Sequence, residues 1–352
     1  MNSYLITLTP TGKFFFGGDM TFDVKGETEE NTRKYSSYII RSNRFPQQTS
    51  LLGMLRFLIL RNAGEDVFCH DKIVDPTKAS ELIGEKGFSV DCESNKRGCF
   101  GKIDHITPCF LMDGEDVFSW ETLKGKDKDG NEYYFRFNDT DENKCRVNGF
   151  EFQLPNSNYD AKEGFDDPFK NVFKEDWRIG IDKDYSGKTK DSSLFKQVAL
   201  RFAEGHNYKF AFYAGIADEL DLAKYNGQLV SVGADSSQFV INIKKQDFSE
   251  PDVICKFQNI VVLTSDTFIK LTAEDNVRYA VTQTVPFKFL VTDVHKKNYN
   301  RLGDIKHSEK FNLYKTGSVF FFRDAASAQD FAAKIKSHAD FYQIGYNHYQ
   351  VK

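Results

Sequence analysis

No run of about 18 apolar residues occurs in this sequence, which leaves no candidate for a membrane-spanning helix. The opening Met1-Asn2-Ser3-Tyr4-Leu5-Ile6-Thr7 alternates like a strand and carries no basic segment ahead of an apolar core. No signal peptide and a cytoplasmic location are therefore expected. Cysteine is sparse, at 6 residues (Cys69, Cys92, Cys99, Cys109, Cys145 and Cys255), and none forms a CxxC pair. Reduced thiols are expected rather than disulfides. Cys69-His70 taken with Cys92, Cys99 and Cys109 fits no zinc-knuckle spacing. Asp127-Lys128-Asp129-Gly130 and Asp139-Thr140-Asp141 lack the sixth-position Gly and twelfth-position Glu of a calcium loop and read as solvated turns. GxGxxG, GxxxxGK(S/T), HExxH and GxSxG do not occur in usable context, so neither a cofactor nor a metal is expected. The 7 histidines are scattered, and none sits beside an acid at a spacing diagnostic of catalysis. An excess of positive charge is missing as well: 47 Lys and Arg stand against 51 Asp and Glu, for a net charge of −4. That argues against a free-standing nucleic-acid binder, but not against a subunit that shares an RNA with its neighbours through one basic face.

What is present in quantity is phenylalanine, 34 of 352 residues, within a 40% hydrophobic composition. Such a chain is too apolar for disorder and long enough for two cores. Its central stretch is Phe45-Pro46-Gln47-Gln48-Thr49-Ser50-Leu51-Leu52-Gly53-Met54-Leu55-Arg56. Pro46 ends what precedes it, and Thr49 or Ser50 can cap a helix over about 50–62. Leu51, Leu52, Leu55, Leu58 and Ile59 then share one helical face. A polar loop feeding a helix N-terminus is a ready anion site. Upstream, Tyr4–Pro10 and Tyr35–Arg41 read as strands. Phe14-Phe15-Phe16-Gly17-Gly18 reads as a bulge or turn laying its aromatics on the core.

Downstream, a short helix is expected near 76–82, strand character over 102–111, and a hairpin over 121–137 turning at Asp129-Gly130. The most polar region, 138–191, ends in Trp177-Arg178-Ile179-Gly180-Ile181 and the basic Lys183-Asp184-Tyr185-Ser186-Gly187-Lys188-Thr189-Lys190, read as a protruding loop. Strands follow at 194–202 and 208–213, joined as a hairpin through Glu204–Asn207, then near 228–232, 238–244, 259–264, 277–282, 285–291 and 318–322. A last helix over 325–338 is capped by Asp324, and Ile344–Gln350 reads as a closing strand. His295-Lys296-Lys297 and Lys306-His307 form a basic patch that reads first as a solvated face. Strands, helices and hairpins mixed in both halves give an α+β chain of two sheet-plus-helix domains divided in the polar middle, 1–165 and 166–352.

Several segments in order resemble the RAMP superfamily of CRISPR proteins, and within it the third subunit of the type III-B Cmr effector complex. They are Phe14–Phe22, Phe45–Arg56, Gly101-Lys102-Ile103 with Ile106–Leu111, Arg178–Ile181 with Ser193-Leu194-Phe195, and Thr316-Gly317-Ser318-Val319-Phe320-Phe321-Phe322. The resemblance implies two ferredoxin-like (RRM-like) domains with long inserted loops and no catalytic role. It implies a subunit that holds the 5′ tag of the CRISPR RNA and docks the large polymerase-cyclase subunit beside the backbone RAMP subunits. Target RNA would be met only indirectly, and no membrane is involved. The implied RNA-contacting residues are Gly17, Gly18, Arg41, Arg44, Gln47, Gln48, Thr49, Ser50, Arg56, Arg178, Lys183, Lys188, Lys190, Lys315, Gly317 and Asn347. The sequence departs from the pattern where Gly17 or Gly18 replaces an arginine and where the closing glycine-rich loop shrinks to Ile344–His348. Two alternatives stand beside this reading: a RAMP endoribonuclease that processes CRISPR precursor RNA, which needs a histidine base near the RNA, and the equivalent subunit of a type III-A complex.

Overall fold

The alternation that opens the sequence becomes β1 (Asn2–Pro10), with Tyr4, Ile6 and Leu8 turned into the main core and Leu5 turned to the opposite face. The computed structural model describes residues 1–18, 20–24, 35–90, 97–118, 124–126, 132–137, 144–147, 150–153, 169, 171–233, 237–248, 258–295 and 306–352. The calcium-loop fragments, the Asp129-Gly130 turn, Cys92, Cys255 and Lys296–Lys297 lie outside these residues.

After β2 (Met20–Val24) and β3 (Tyr35–Arg41), Pro46 precedes α1 (Gln48–Arg61). The helix begins earlier than expected: Gln47 is its cap residue, with no side-chain bond, while Thr49 and Ser50 lie inside the first turn. The Gln47 carbonyl accepts from the N–H of Ser50 at 2.9 Å and of Leu51 at 3.2 Å, so backbone alone closes the turn. The expected apolar face, Leu51, Leu52, Leu55, Leu58 and Ile59, is buried. A two-strand clip, β4 (Phe68–Cys69) and β5 (Lys72–Ile73), leads to α2 (Pro76–Ile83). There Asp75 accepts from Thr77 and Lys78 N–H, and Pro76 fits the first turn.

The strand character over 102–111 divides into β6 (Ile103–Ile106) and β7 (Phe110–Asp113), followed by β8 (Asp116–Val117). β9 (Lys124–Lys126), β10 (Glu132–Phe137), β11 (Lys144–Val147) and β12 (Phe150–Gln153) form an antiparallel meander, whose first pair is the expected hairpin. Next come β13 (Phe173–Lys183), β14 (Thr189–Phe202) and β15 (Tyr208–Ile216). A 3-10 turn at Leu222–Tyr225 precedes β16 (Leu229–Ser231) and β17 (Gln238–Lys245). The last part holds β18 (Ile260–Leu263), a 3-10 turn at Ala273–Asp275 and β19 (Tyr279–Val281), then β20 (Thr284–Phe287), β21 (Leu290–Val291) and β22 (Lys306–His307). It closes with β23 (Phe311–Tyr314), β24 (Val319–Phe321), α3 (Ala325–Ser337), α4 (Ala339–Gln343) and β25 (Tyr349–Val351).

Three of the sequence expectations change here. The basic stretch at 178–191 is not a loop but the end of a long antiparallel hairpin, β13–β14. Asp184 makes its turn by accepting from Ser186 and Lys188 N–H, with Gly187 at φ +81°. β14 and β15 do not pair with each other. β14 joins β13 and, in parallel, β3, whereas both edges of β15 are taken by β1 and by β6 and β7. Ile344–Gln350 is a turn before a short strand, because Gly345 and Asn347 both take positive φ.

Two sheets carry the fold. In the first, β17, β1, β15 and β7 lie side by side, all antiparallel, in the chain order fourth, first, third, second. In the second, β25, β18, β24 and β19 repeat that order. α1 packs under the first sheet through Leu51, Leu55 and Leu58; α3 packs under the second through Ala328, Phe331 and Ile335. Mixed α+β architecture is thus as expected. β1 takes its partners from 208–245, and the expected division at 165/166 falls outside the described residues. An aromatic cluster of Phe88, Phe268, Phe287, Phe289, Phe341 and Tyr346 brings residues from both halves of the chain into the core of the first sheet, with Phe341 5.2 Å from Phe88 and 5.0 Å from Phe268.

Candidate nucleic-acid interface

The first turn of α1 forms one wall of a cleft of about 270 Å³. Gln47, Thr49, Ser50 and Gly53 line it from the helix side, and Lys288, Leu290, Thr292 and His307 from the far half of the chain. Pairing of β21 with β22 sets Leu290 opposite His307, which brings a residue of the expected basic patch to the helix start. Lys288 and His307 were not linked to the Gln47–Ser50 turn in the sequence, since about 240 to 260 residues separate them from it and no local pattern connects them. Backbone N–H groups at a helix start carry partial positive charge, so this wall attracts an anion.

Arg56 also touches the cleft, yet its guanidinium is buried. It donates to Ile83 O at 2.9 Å, Gly84 O at 3.2 Å and Thr292 Oγ1 at 3.2 Å, tying α1 to the end of α2 and to the residue that follows β21. The charge expected on a phosphate is thus engaged inside the protein. Gln48 points inward as well, 6% exposed. Behind it the buried Tyr346 phenol, pushed up by burial, lies against Gln48 and Thr49. Asn347 is fully buried and works as a clamp: Oδ1 accepts from Phe268 N–H at 2.8 Å, and Nδ2 donates to Phe268 O and Ile335 O. It joins the turn before β25 to α3 and does not reach the surface.

Arg41 and Arg44 do not line the cleft. Arg41 Nη1 donates to Glu175 Oε1 at 2.6 Å and the guanidinium lies 5.2 Å from the Trp177 ring. Arg44 is exposed, 5.9 Å from the Phe169 ring. Gly17, at φ +62°, accepts from Asn43 N–H, and a Cβ on Gly18 would strike the Arg41 carbonyl. The two glycines therefore permit close approach of the chain to itself, while Phe14 and Phe16 enter the core as expected.

The remaining candidates lie elsewhere. Arg178, Lys183 and Lys188 stand exposed on the β13–β14 hairpin, with Tyr185 at its tip; the side chain of Lys190 lies outside the described residues. Lys315 and Gly317 form the turn into β24, where Thr316 N–H donates to Asp266. Two histidines do meet acids: His206 Nδ1 lies 2.8 Å from Asp113, and His105 Nδ1 lies 2.8 Å from Asp104. The first pair joins residues 93 apart, so sequence spacing gave no sign of it. His348 is half-buried in a stack on Tyr342 at 4.1 Å, and its loss of solvent lowers it to about 4, so it stays neutral.

Among solved structures, the chain resembles one from "Cryo-EM structure of the Type III-B Cmr-beta bound to cognate target RNA", with TM-score 0.50 at 14% identity, covering 99% of this chain and 96% of that one. A second, from the same Cmr-beta assembly bound to cognate target RNA and AMPPnP, state 1, gives TM-score 0.47 at 13% identity with the same coverage. No curated protein sequence matches. Residues 153–351, more than half of the chain, match the family described as CRISPR-associated protein (Cas_Cmr3). The chain belongs to this Cas_Cmr3 family of CRISPR-associated proteins.

Proposed function

We propose that this protein is a non-catalytic subunit of a type III-B CRISPR RNA-guided complex in the cytoplasm, acting in antiviral defence. It receives the 5′ tag of the CRISPR RNA in the α1 cleft and docks the large polymerase-cyclase subunit beside the backbone subunits. The observation that carries this reading is the convergence, in one cleft, of the Gln47–Ser50 turn at a helix N-terminus with Lys288 and His307 from the far half of the chain. Thr49, Ser50 and Lys288 hold phosphate and so fix register, while base edges, where read, are met by Gln47. Arg41 and Arg44 add charge outside the cleft. The β13–β14 hairpin, with Arg178, Lys183, Lys188 and Lys190, reaches toward the guide–target duplex, and target sequence is left to base pairing. Both sheets are read as ferredoxin-like, supported by their shared strand order and by one packed helix each. On that reading the two domains divide within 246–259 rather than at 165/166, because β1 pairs with β15 and β17.

With a net charge of −4, the isolated chain binds RNA weakly and gains affinity in the assembly. The test is filter binding of a tag-bearing CRISPR RNA to the reconstituted complex. Gln47→Ala with Lys288→Ala weakens retention roughly tenfold, as loss of a charge-assisted contact does. Unchanged retention overturns the tag assignment. Cleavage of precursor RNA by the isolated chain overturns the non-catalytic role and favours the endoribonuclease.

A further inference from the structure

Among the described residues, α1 packs on one face of the first sheet and no helix packs on the other. Its other face is built by Leu5 and Thr7 of β1, Ala211 and Tyr213 of β15, Phe110 and Met112 of β7, and Asn242 and Lys244 of β17. Strand register sets Lys244, Leu5 and Tyr213 in one row across three strands, and Asn242, Thr7, Ala211 and Phe110 in the next across four. Leu5, Met112 and Ala211 are buried, so the aliphatic part of this face is already covered. What reaches solvent above them is different in kind. Phe110 and Tyr213 lie near-parallel with centroids 6.1 Å apart, and Phe248 leans on Tyr213 at 4.9 Å and is exposed. Gln246 Nε2 donates to the Tyr213 hydroxyl at 3.1 Å and fixes the ring. Lys244 and Asn242 are exposed beside them, and Lys244 makes no ion pair among the described residues; Lys209, on the same face, is held by Glu115 at 3.2 Å.

We infer that this open face is a second RNA surface, a stacking platform for two or three unpaired bases, distinct from the α1 cleft. Flat aromatic surface with amide groups and one ammonium suits bases and a phosphate. The aliphatic side chains of this face are packed against the Phe110 and Tyr213 rings, so the groups left to meet a ligand are aromatic, amide and ammonium. Stacking needs no particular base, so the platform tolerates any sequence. The inference does not depend on tag recognition in the cleft.

The probe is a fluorescent twelve-nucleotide oligouridylate, which lacks the tag, titrated against the full chain. Phe248→Ala with Lys244→Ala, both exposed positions, weakens binding roughly tenfold, the loss expected for one stacked base and one phosphate contact. Tyr213→Phe keeps the ring and retains most of the affinity, and photo-crosslinks from 5-iodouridine map to Tyr213 or Phe248. In the Gln47→Ala, Lys288→Ala variant the crosslinks still map to Tyr213 or Phe248, which separates the platform from the cleft. Unchanged affinity in the Phe248→Ala, Lys244→Ala variant overturns the proposal. So does loss of a partner subunit from the reconstituted complex with oligouridylate binding intact, which would make the face a protein interface.

Discussion

The two sheets share a strand order but set their long helices at different points along it. Both lay four antiparallel strands in the order fourth, first, third, second, and each packs one long helix beneath it. The first keeps α1, between its first and second strands; the second keeps α3, between its third and fourth. A 3-10 turn lies between the third and fourth strands of the first sheet and another between the first and second strands of the second, each tied down through an acid. In the first, Asp221 accepts from Ala223 N–H at 3.0 Å and from the Tyr4 hydroxyl at 3.1 Å. In the second, Asp275 closes a capping box with Thr272 and pairs with Lys334 of α3 at 2.6 Å. The aromatic cluster draws its residues from both halves of the chain, and the α1 cleft opens beside it, with Phe88 and Phe289 common to both.

Because both halves supply this cluster, it is where the comparison breaks most readily. Phe341 is fully buried against Phe88, Phe268, Phe287 and Tyr346. Phe341→Ala should cost about 3–5 kcal/mol in denaturant unfolding and destabilise both sheets in one transition. Loss confined to the second sheet would show that the halves fold independently.

Arg56 comes next. Replacing it with Met keeps volume but leaves Ile83 O and Gly84 O short of a donor, at about 2–3 kcal/mol in the same measurement. A variant of native stability that only loses RNA would return Arg56 to the ligand.

Arg56 also marks where the sequence stopped being legible. The face of α1, the Asp324 cap with its bond to Ser327 N–H at 2.7 Å, and the strands at 4–10 and 238–244 all follow from local period and capping chemistry. So does Ala328–Phe331–Ala332–Ile335 as the buried face of α3. Partners beyond local range do not. Nothing near Arg56 announces that two carbonyls at the end of α2 will enclose it, nor does anything near Ser50 announce Lys288 and His307. Trp177, Ile179 and Ile181 alternate as a strand should, but the charge around them masked that period and gave a loop. Half of the candidate cleft was readable, because one helix start makes it; the other wall exists only through tertiary pairing.

Smaller effects compare the two anchored turns. Tyr4→Phe removes the hydroxyl from Asp221 and should cost about 0.5–1.5 kcal/mol. Asp275 answers through pH. Burial pushes its carboxyl up, but the Lys334 bond and the Thr272 N–H outweigh that and hold it below the ordinary value. A lowered folded value means a stabilising contribution fully present above the unfolded value of about 3.9 and lost as pH falls through the folded one. Thermal unfolding scanned from pH 6 to 2 should therefore show an acid-dependent loss that Asp275→Asn abolishes and Tyr4→Phe does not. The same acid profile in both would remove the distinction between an ionic anchor and a neutral one.

The smallest effect on stability falls on the cleft itself. Gln47 caps α1 without a side-chain bond, whereas Asp324 caps α3 with one. The first-turn backbone groups of Gln48 and Thr49 face the buried Tyr346 phenol, so an anion in the cleft meets the positive end of the helix dipole and the side chains around it. Gln47→Ala should change unfolding free energy by less than about 0.5 kcal/mol, since no bond is lost. Gln47→Asp should raise stability slightly by supplying the missing cap, and at the same time weaken tag retention by filling the cleft mouth with a carboxylate. A stabilised variant with poorer RNA retention is the signature of a helix start held open for a ligand. A Gln47→Asp protein that gains stability and retains RNA fully would mean that the two helix starts differ in sequence alone.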